Sequence, residues 1–247
     1  MSENMTNKDE ERREIEEFFG CECEIIEKEF SKEEMTKFYL QEREKASGKY
    51  IPVIVVIEDK LAEIVEANFD NCGGRDEHVK KYVNIDCEDV EEFVKKSQKE
   101  TIERTEKFFG ELIYGEYEEH DSENYLFDAK FLKMSGDMIV VMHVPVDKPW
   151  LVFAYLPFGG WNNCPMTEEM IKFSKHWNDI YGAWPALIDG STVQFYVEKP
   201  VVDADSAMKL EMEHFAFDPD IVTEYAASIN SAAGTLTNSK VWTFWWD

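Results

Sequence analysis

The sequence predicts an α+β protein: a mixed sheet, or sheets, with flanking helices and a tryptophan-rich C-terminal lobe. Three observations point there. Helix-like and strand-like segments mix without the regular βαβ rhythm of a parallel fold. Residues 52–57 read P-V-I-V-V-I, a β-branched run suited to a buried strand. All seven tryptophans lie at or after Trp150.

Residues 8–19 have helical composition, with Asn7 as a cap and Glu10 three positions on. Residues 23–27 fit a short strand. Ser31 and Glu34 form a capping box, and the helix they open should stop at Gly48. After the strand at 52–57 comes a helix over 60–68, then a loop at Asn71-Cys72-Gly73-Gly74. Residues 86–109 place Val90, Phe93, Val94, Ile102 and Phe109 on one stripe, an amphipathic helix that Gly110 ends.

The acidic, turn-rich stretch 115–137 is the expected boundary between an N-terminal lobe (1–125) and a C-terminal lobe (126–247). Residues 138–146 and 150–156 read as strands joined at Asp147-Lys148-Pro149. Thr167 should cap a helix running to Tyr181 and stopped by Gly182. Asp189-Gly190, between apolar segments, is a strong hairpin signal. Asp203 or Asp205 should cap a helix through Phe217, Pro219 a further one to Ile229, and residues 241–246 should form a terminal strand.

Charge narrows the classes of function. Against 26 Lys and Arg stand 52 Asp and Glu, a net charge of −26, and no arginine follows Arg104. Such a chain repels nucleic-acid phosphates and lacks a bidentate phosphate clamp in its C-terminal half. The excess charge reads first as a solvated acidic surface that favours solubility, and second as a field that could steer a basic protein partner. No apolar run approaches the roughly 20 residues of a membrane helix. The N-terminus lacks the apolar core of a signal peptide. Five scattered cysteines without a C-x-x-C pair fit a reducing cytoplasm.

Few motifs survive inspection. Gly110 and Gly115 have P-loop spacing, but Glu116 stands where the loop needs lysine. Asp203-Ala204-Asp205 opens like a calcium loop, yet Ala207 and Met208 occupy later positions that such a loop reserves. Cys21-Glu22-Cys23 alone is a weak metal signal, so no metal or cofactor is expected.

The chemistry concentrates in F-G-G-W-N-N-C-P, residues 158–165. Cys164 precedes a helix N-terminus, where the dipole favours a thiolate, and His176 lies on that helix as a base, with His143 and His214 as alternatives. The residue type itself favours the plainer reading, in which Cys164 is a small buried residue and His176 caps the core or faces solvent. Trp161, Asn162 and Asn163, with Asp220 as a neighbour, make a ligand-binding set in which glycines permit close approach and asparagines bond both ways. Trp161, Trp177, Trp242 and Trp245 are the expected centre of the aromatic core.

The segment P-W-L-V-F-A-Y-L-P-F-G-G-W-N-N-C-P, the His176-Trp177 to Gly182-Ala183 helix end, Asp218-Pro219-Asp220-Ile221-Val222 and the terminal F-W-W-D resemble a bacterial family, domain of unknown function 4253. The likeness is strong over residues 138–247 and weaker at G-K-Y-I-P-V-I-V. It implies shared fold and bacterial origin, and no activity. In that family a cysteine often precedes the Pro-Asp pair, where this chain has Asp218, so Cys164 lacks that partner. Two functions follow. One is a non-catalytic acidic binding protein, resembling immunity proteins. The other is an enzyme with Cys164 as nucleophile and His176 as base.

Overall fold

The computed structural model describes residues 7–135, 138–222 and 228–246. The elements run α1 (Asn7–Phe19), β1 (Glu22–Ile25), α2 (Lys32–Ala46), β2 (Ile51–Ile57), α3 (Asp59–Asn71), α4 (Arg75–Tyr82), α5 (Val90–Phe109) and α6 (Ala129–Ser135). Then follow β3 (Met138–Val144), a 3-10 helix (Pro149–Ala154), α7 (Thr167–Tyr181), β4 (Ala183–Ile188), β5 (Thr192–Val197), α8 (Ala204–Phe217), α9 (Ile229–Ala233) and β6 (Val241–Trp245). The α+β expectation holds.

All six strands share one sheet, in the order β1-β3-β2-β4-β5-β6. β3 pairs antiparallel with both β1 and β2, β2 pairs parallel with β4, and β4-β5-β6 is an antiparallel meander. The boundary expected after residue 125 therefore falls between strands of one sheet, with β1 and β2 before it and β3–β6 after it.

Side chains alternate across a strand, so β2 feeds two cores. Val53 and Val55 point to the larger one, with Val140, Met142, Phe195 and Phe244. α3, the 3-10 helix, α7 and α8 cover that face through Val65, Phe153, Trp177 and Leu210. Ile54 and Val56 point to the other face, where Met35 and Tyr39 of α2 meet Leu126, Ala129 and Leu132. At 25 cal/mol/Å², each of these fully buried aliphatic side chains contributes roughly 1.5–3 kcal/mol.

Local signals act as expected at several points. Ser31 Oγ accepts the Glu34 N–H while Glu34 accepts the Ser31 N–H, so α2 starts there. Asp203 caps α8 by accepting the Ser206 N–H at 2.9 Å. Asp189 closes the β4–β5 hairpin by accepting the Ser191 and Thr192 N–H groups, at 2.8 and 2.7 Å.

Other expectations need correction. Residues 150–156 are not a strand. Pro149 sets the first φ of a 3-10 helix, and Leu151 N–H and Tyr155 N–H bond back to Lys148 and Val152. Met166, not Thr167, is the residue before α7, and Glu169 accepts its N–H at 2.8 Å. α6 lies within the stretch expected as a boundary, and α4 fills residues 75–82, for which the sequence gives no assignment. The helix expected from Pro219 to Ile229 crosses residues 223–227, which lie outside the described residues. In the aromatic core, Trp177, Trp242 and Trp246 are fully buried, whereas Trp161 and Trp245 are only partly so. The pleat decides this: Trp242, Phe244 and Trp246 share the larger core, and Trp245 faces the other way.

Candidate functional site

The loop 158–166 is built by its glycines. Gly159 and Gly160 have φ of 106° and 83°, and a Cβ on Gly159 would collide with the Pro165 carbonyl. Gly160 N–H bonds to Cys164 O and Pro165 O, both at 3.2 Å, and Cys164 N–H to Trp161 O at 2.8 Å. The chain thus folds back into a tight hook before α7. Asn68 of α3 holds the hook, donating to Pro157 O at 3.2 Å and Gly159 O at 3.1 Å.

The hook forms one wall of a cleft of about 380 Å³. Asn162, Asn163, Cys164 and Met166 line it opposite Glu100, Thr101 and Arg104 of α5. Asn162 occupies the left-handed region at φ 48°, which asparagine tolerates better than most residues. Asn163 Nδ2 donates to Asp220 Oδ1 at 3.0 Å, so two expected site residues do meet. Trp161 turns away from the cleft lining, beneath Lys60 Nζ at 4.3 Å from its ring centre and edge-on to Phe158.

Cys164 and His176 are not brought together. Cys164 is 5% exposed. Burial first, and the nearby Asp218 second, push its thiol well above the usual range, overriding any help from the helix dipole. His176 lies outside the cleft lining, with Nε2 3.3 Å from Glu213 Oε2. That same oxygen accepts Trp177 Nε1–H at 2.9 Å. Cys21 and Cys23 are also buried, their thiols pushed up to about 12 by desolvation. All five cysteines are free, and among the described residues no cluster of His, Cys, Asp and Glu is placed to hold a metal ion.

A second site escaped the sequence reading except for His214. On α8, Glu211, His214 and Asp218 follow the i, i+3, i+7 spacing of a core-facing stripe, and all three are buried. Desolvation raises Glu211 well above the usual carboxylate range, raises Asp218 to about 8, and lowers His214 to about 3. Charged residues on a stripe that should be apolar were the available signal. Glu211 and His214 line a cavity of about 860 Å³.

Residues 140–247 match the family model described as a domain of unknown function (DUF4253), a likeness confined to the C-terminal part of the chain. The hook, α8 and β6 all fall inside the matched stretch. No curated protein and no solved structure matches the chain. Among the described residues, no helix is long and apolar enough to cross a membrane.

Proposed function

We propose that the protein is a non-catalytic binding protein of the bacterial cytoplasm that engages a basic protein partner at the Trp161–Cys164 hook, as an acidic immunity protein engages a toxin. The observation that carries this reading is the contrast within the hook. Its amides are exposed, with Asn163 oriented by Asp220, while the one nucleophile is buried and protonated. A thiol held protonated in that way is a poor nucleophile. Preorganised amides beside carboxylates suit recognition of a basic surface, and the −26 charge would speed encounter with one. Free cysteines fit the reducing compartment.

The test is affinity capture from the native host with three baits: the parent, Cys164→Ser and Asn163→Ala. The parent and the serine variant should retain the same basic protein in stoichiometric amount, released by salt, and the alanine variant should lose it. A folded serine variant that loses function while still holding its partner would overturn the binding-only reading.

A further inference from the structure

The cavity beside α8 has the marks of a built ligand site. Glu211 is 1% exposed and His214 2%. Glu211 Oε1, His214 Nε2 and Trp242 Nε1 are buried without any hydrogen-bond partner, and all three residues line the same cavity. Buried polar atoms are almost always paired, because leaving one unmet is costly. These three unmet atoms belong to residues that line one cavity, which gives it both donor and acceptor groups for a polar ligand.

The rest of the lining says what kind. Glu58, Asp121, Glu123 and Asp189 add four carboxylates, and Phe127, Phe131 and Trp245 add aromatic surface beyond the β6 edge, on the opposite face of the sheet from Trp242. Among the described residues no lysine or arginine lines the cavity. Two lysines sit at its rim: Lys32 Nζ lies 3.5 Å from Glu123 Oε2, and Lys60 donates to Ser191 Oγ at 2.8 Å at the hairpin end. Carboxylates over aromatic walls are the standard setting for an organic cation, held by charge, hydrogen bonds and the ring faces together.

We propose that this cavity binds a small organic cation, an ammonium or guanidinium group on a slender apolar body, with Glu211 as its buried anionic partner. His214, a neutral imidazole, offers a ring-nitrogen lone pair to a second N–H of the ligand. Trp242 supplies an aromatic wall. The carboxylates nearer the surface steer the cation inward. A free small molecule fits better than a protein side chain, because Glu211 and His214 lie so far from solvent. This site shares no residue with the hook, so the two readings stand or fall separately.

Binding carries a proton signature. Burial, with Asp218 as second cause, keeps Glu211 protonated in the empty protein. A cation that pairs with it must drive that proton off. The other titratable groups lining the cavity are His214 on α8, Asp121 and Glu123 before α6, Glu58 before α3 and Asp189 in the hairpin; Asp218 at the α8 C-cap acts on Glu211 from outside the lining, and Lys32 pairs with Glu123. His214 stays neutral across the neutral range.

The experiment is isothermal titration calorimetry of the full chain near pH 7, with phenethylamine, agmatine and spermidine as probes and 2-phenylethanol as uncharged match. At least one amine should bind at one site, at least about tenfold tighter than the alcohol. Its heat should vary with the ionisation enthalpy of the buffer, reporting release of about one proton. Glu211→Gln should weaken that amine about tenfold or more and abolish the buffer dependence. Phe131→Ala, at an exposed position that spares the core, should weaken it severalfold, and Asn163→Ala should change nothing. No amine binding at about 10 mM, equal binding of the alcohol, a buffer-independent heat, or a folded Glu211→Gln variant that binds like the parent would each overturn the proposal.

Discussion

Asp218 Oδ2 accepts the backbone N–H of Trp245 at 3.1 Å, so a buried carboxyl meets a donor on the outermost strand of the sheet. An edge strand leaves a row of N–H and C=O groups without strand partners. Here the C-cap residue of α8 satisfies one of them and ties that helix to β6. Asp218 Oδ1 also accepts the Asp220 N–H at 3.1 Å, which fixes the turn that presents Asp220 to Asn163.

Asp218 should make stability fall as pH rises. In the unfolded chain its carboxyl loses its proton near 4; in the native state burial holds the proton to about 8. The native state binds the extra proton between those values, so the stabilisation is complete below about 4 and lost as pH climbs through 8. His214 acts in the opposite sense, since its native value of about 3 lies below its unfolded value, but that contribution ends above about 6.5. Between about pH 6.5 and 8 the buried carboxyls act alone, each lowering stability by at most about 1.4 kcal/mol per pH unit. Urea denaturation across that window should show the decline, and Asp218→Asn should flatten it. A variant with the parent's slope would remove Asp218 as the cause.

Gly159→Val should cost more than Gly160→Val. Both positions have positive φ, worth about 1–3 kcal/mol of strain for a β-branched residue. At Gly159 the added carbon also meets the Pro165 backbone, which cannot swing aside, whereas at Gly160 it meets the flexible end of Met166. Thermal melts of the two variants give the order, and a reversed order would mean the hook is not held as described.

Iodoacetamide at neutral pH should label Cys72 and Cys87 before Cys164. The first two are partly exposed, while Cys164 is buried and its thiol is pushed up by desolvation. Peptide mapping over time reads the order directly. Rapid labelling of Cys164 in the folded protein would restore it as a nucleophile.

Trp246→Ala should destabilise by about 3–5 kcal/mol, and Trp245→Ala by clearly less. Trp246 is fully buried against Phe158 and Phe217, at ring separations of 5.6 and 5.5 Å. Trp245 sits on the opposite, partly exposed face. Chemical denaturation of both variants separates them, and equal losses would contradict the strand's orientation.

The sequence made legible what short-range rules control. The Ser31–Glu34 box, the β-branched run of β2, the Asp189-Gly190 hairpin and the Gly159-Gly160 hook all act over a few residues. Residues 150–156 misled because an apolar run buried on every side has no periodicity to tell helix from strand. α4 hid because its polar R-D-E-H-V-K-K-Y buries only His78 and Tyr82, with His78 Nδ1 held by Ala154 O at 3.0 Å. That partner is 76 residues away. The hook's pairing of Asn163 with Asp220 also spans 57 residues, yet it is expected from the sequence, because both lie in the segments that carry the family resemblance. The buried carboxyls of α8 were overlooked because acidic residues read as surface in so acidic a chain.

The placement of β3 bears on how the chain is made. β1 and β2 are finished by residue 57, yet neither touches the other: β3, residues 138–144, lies between them and bonds to both. A nascent chain that has emerged only as far as α5 therefore holds the apolar β2 and the short, half-acidic β1 without the strand that joins them, which leaves a slot one strand wide. Any foreign extended segment of suitable alternation competes for that slot until Met138 leaves the ribosome. The charged residues Glu22 and Glu24 on β1, and the run of acids ahead of it, stand guard during that interval by making the slot's outer flank unattractive to other apolar strands.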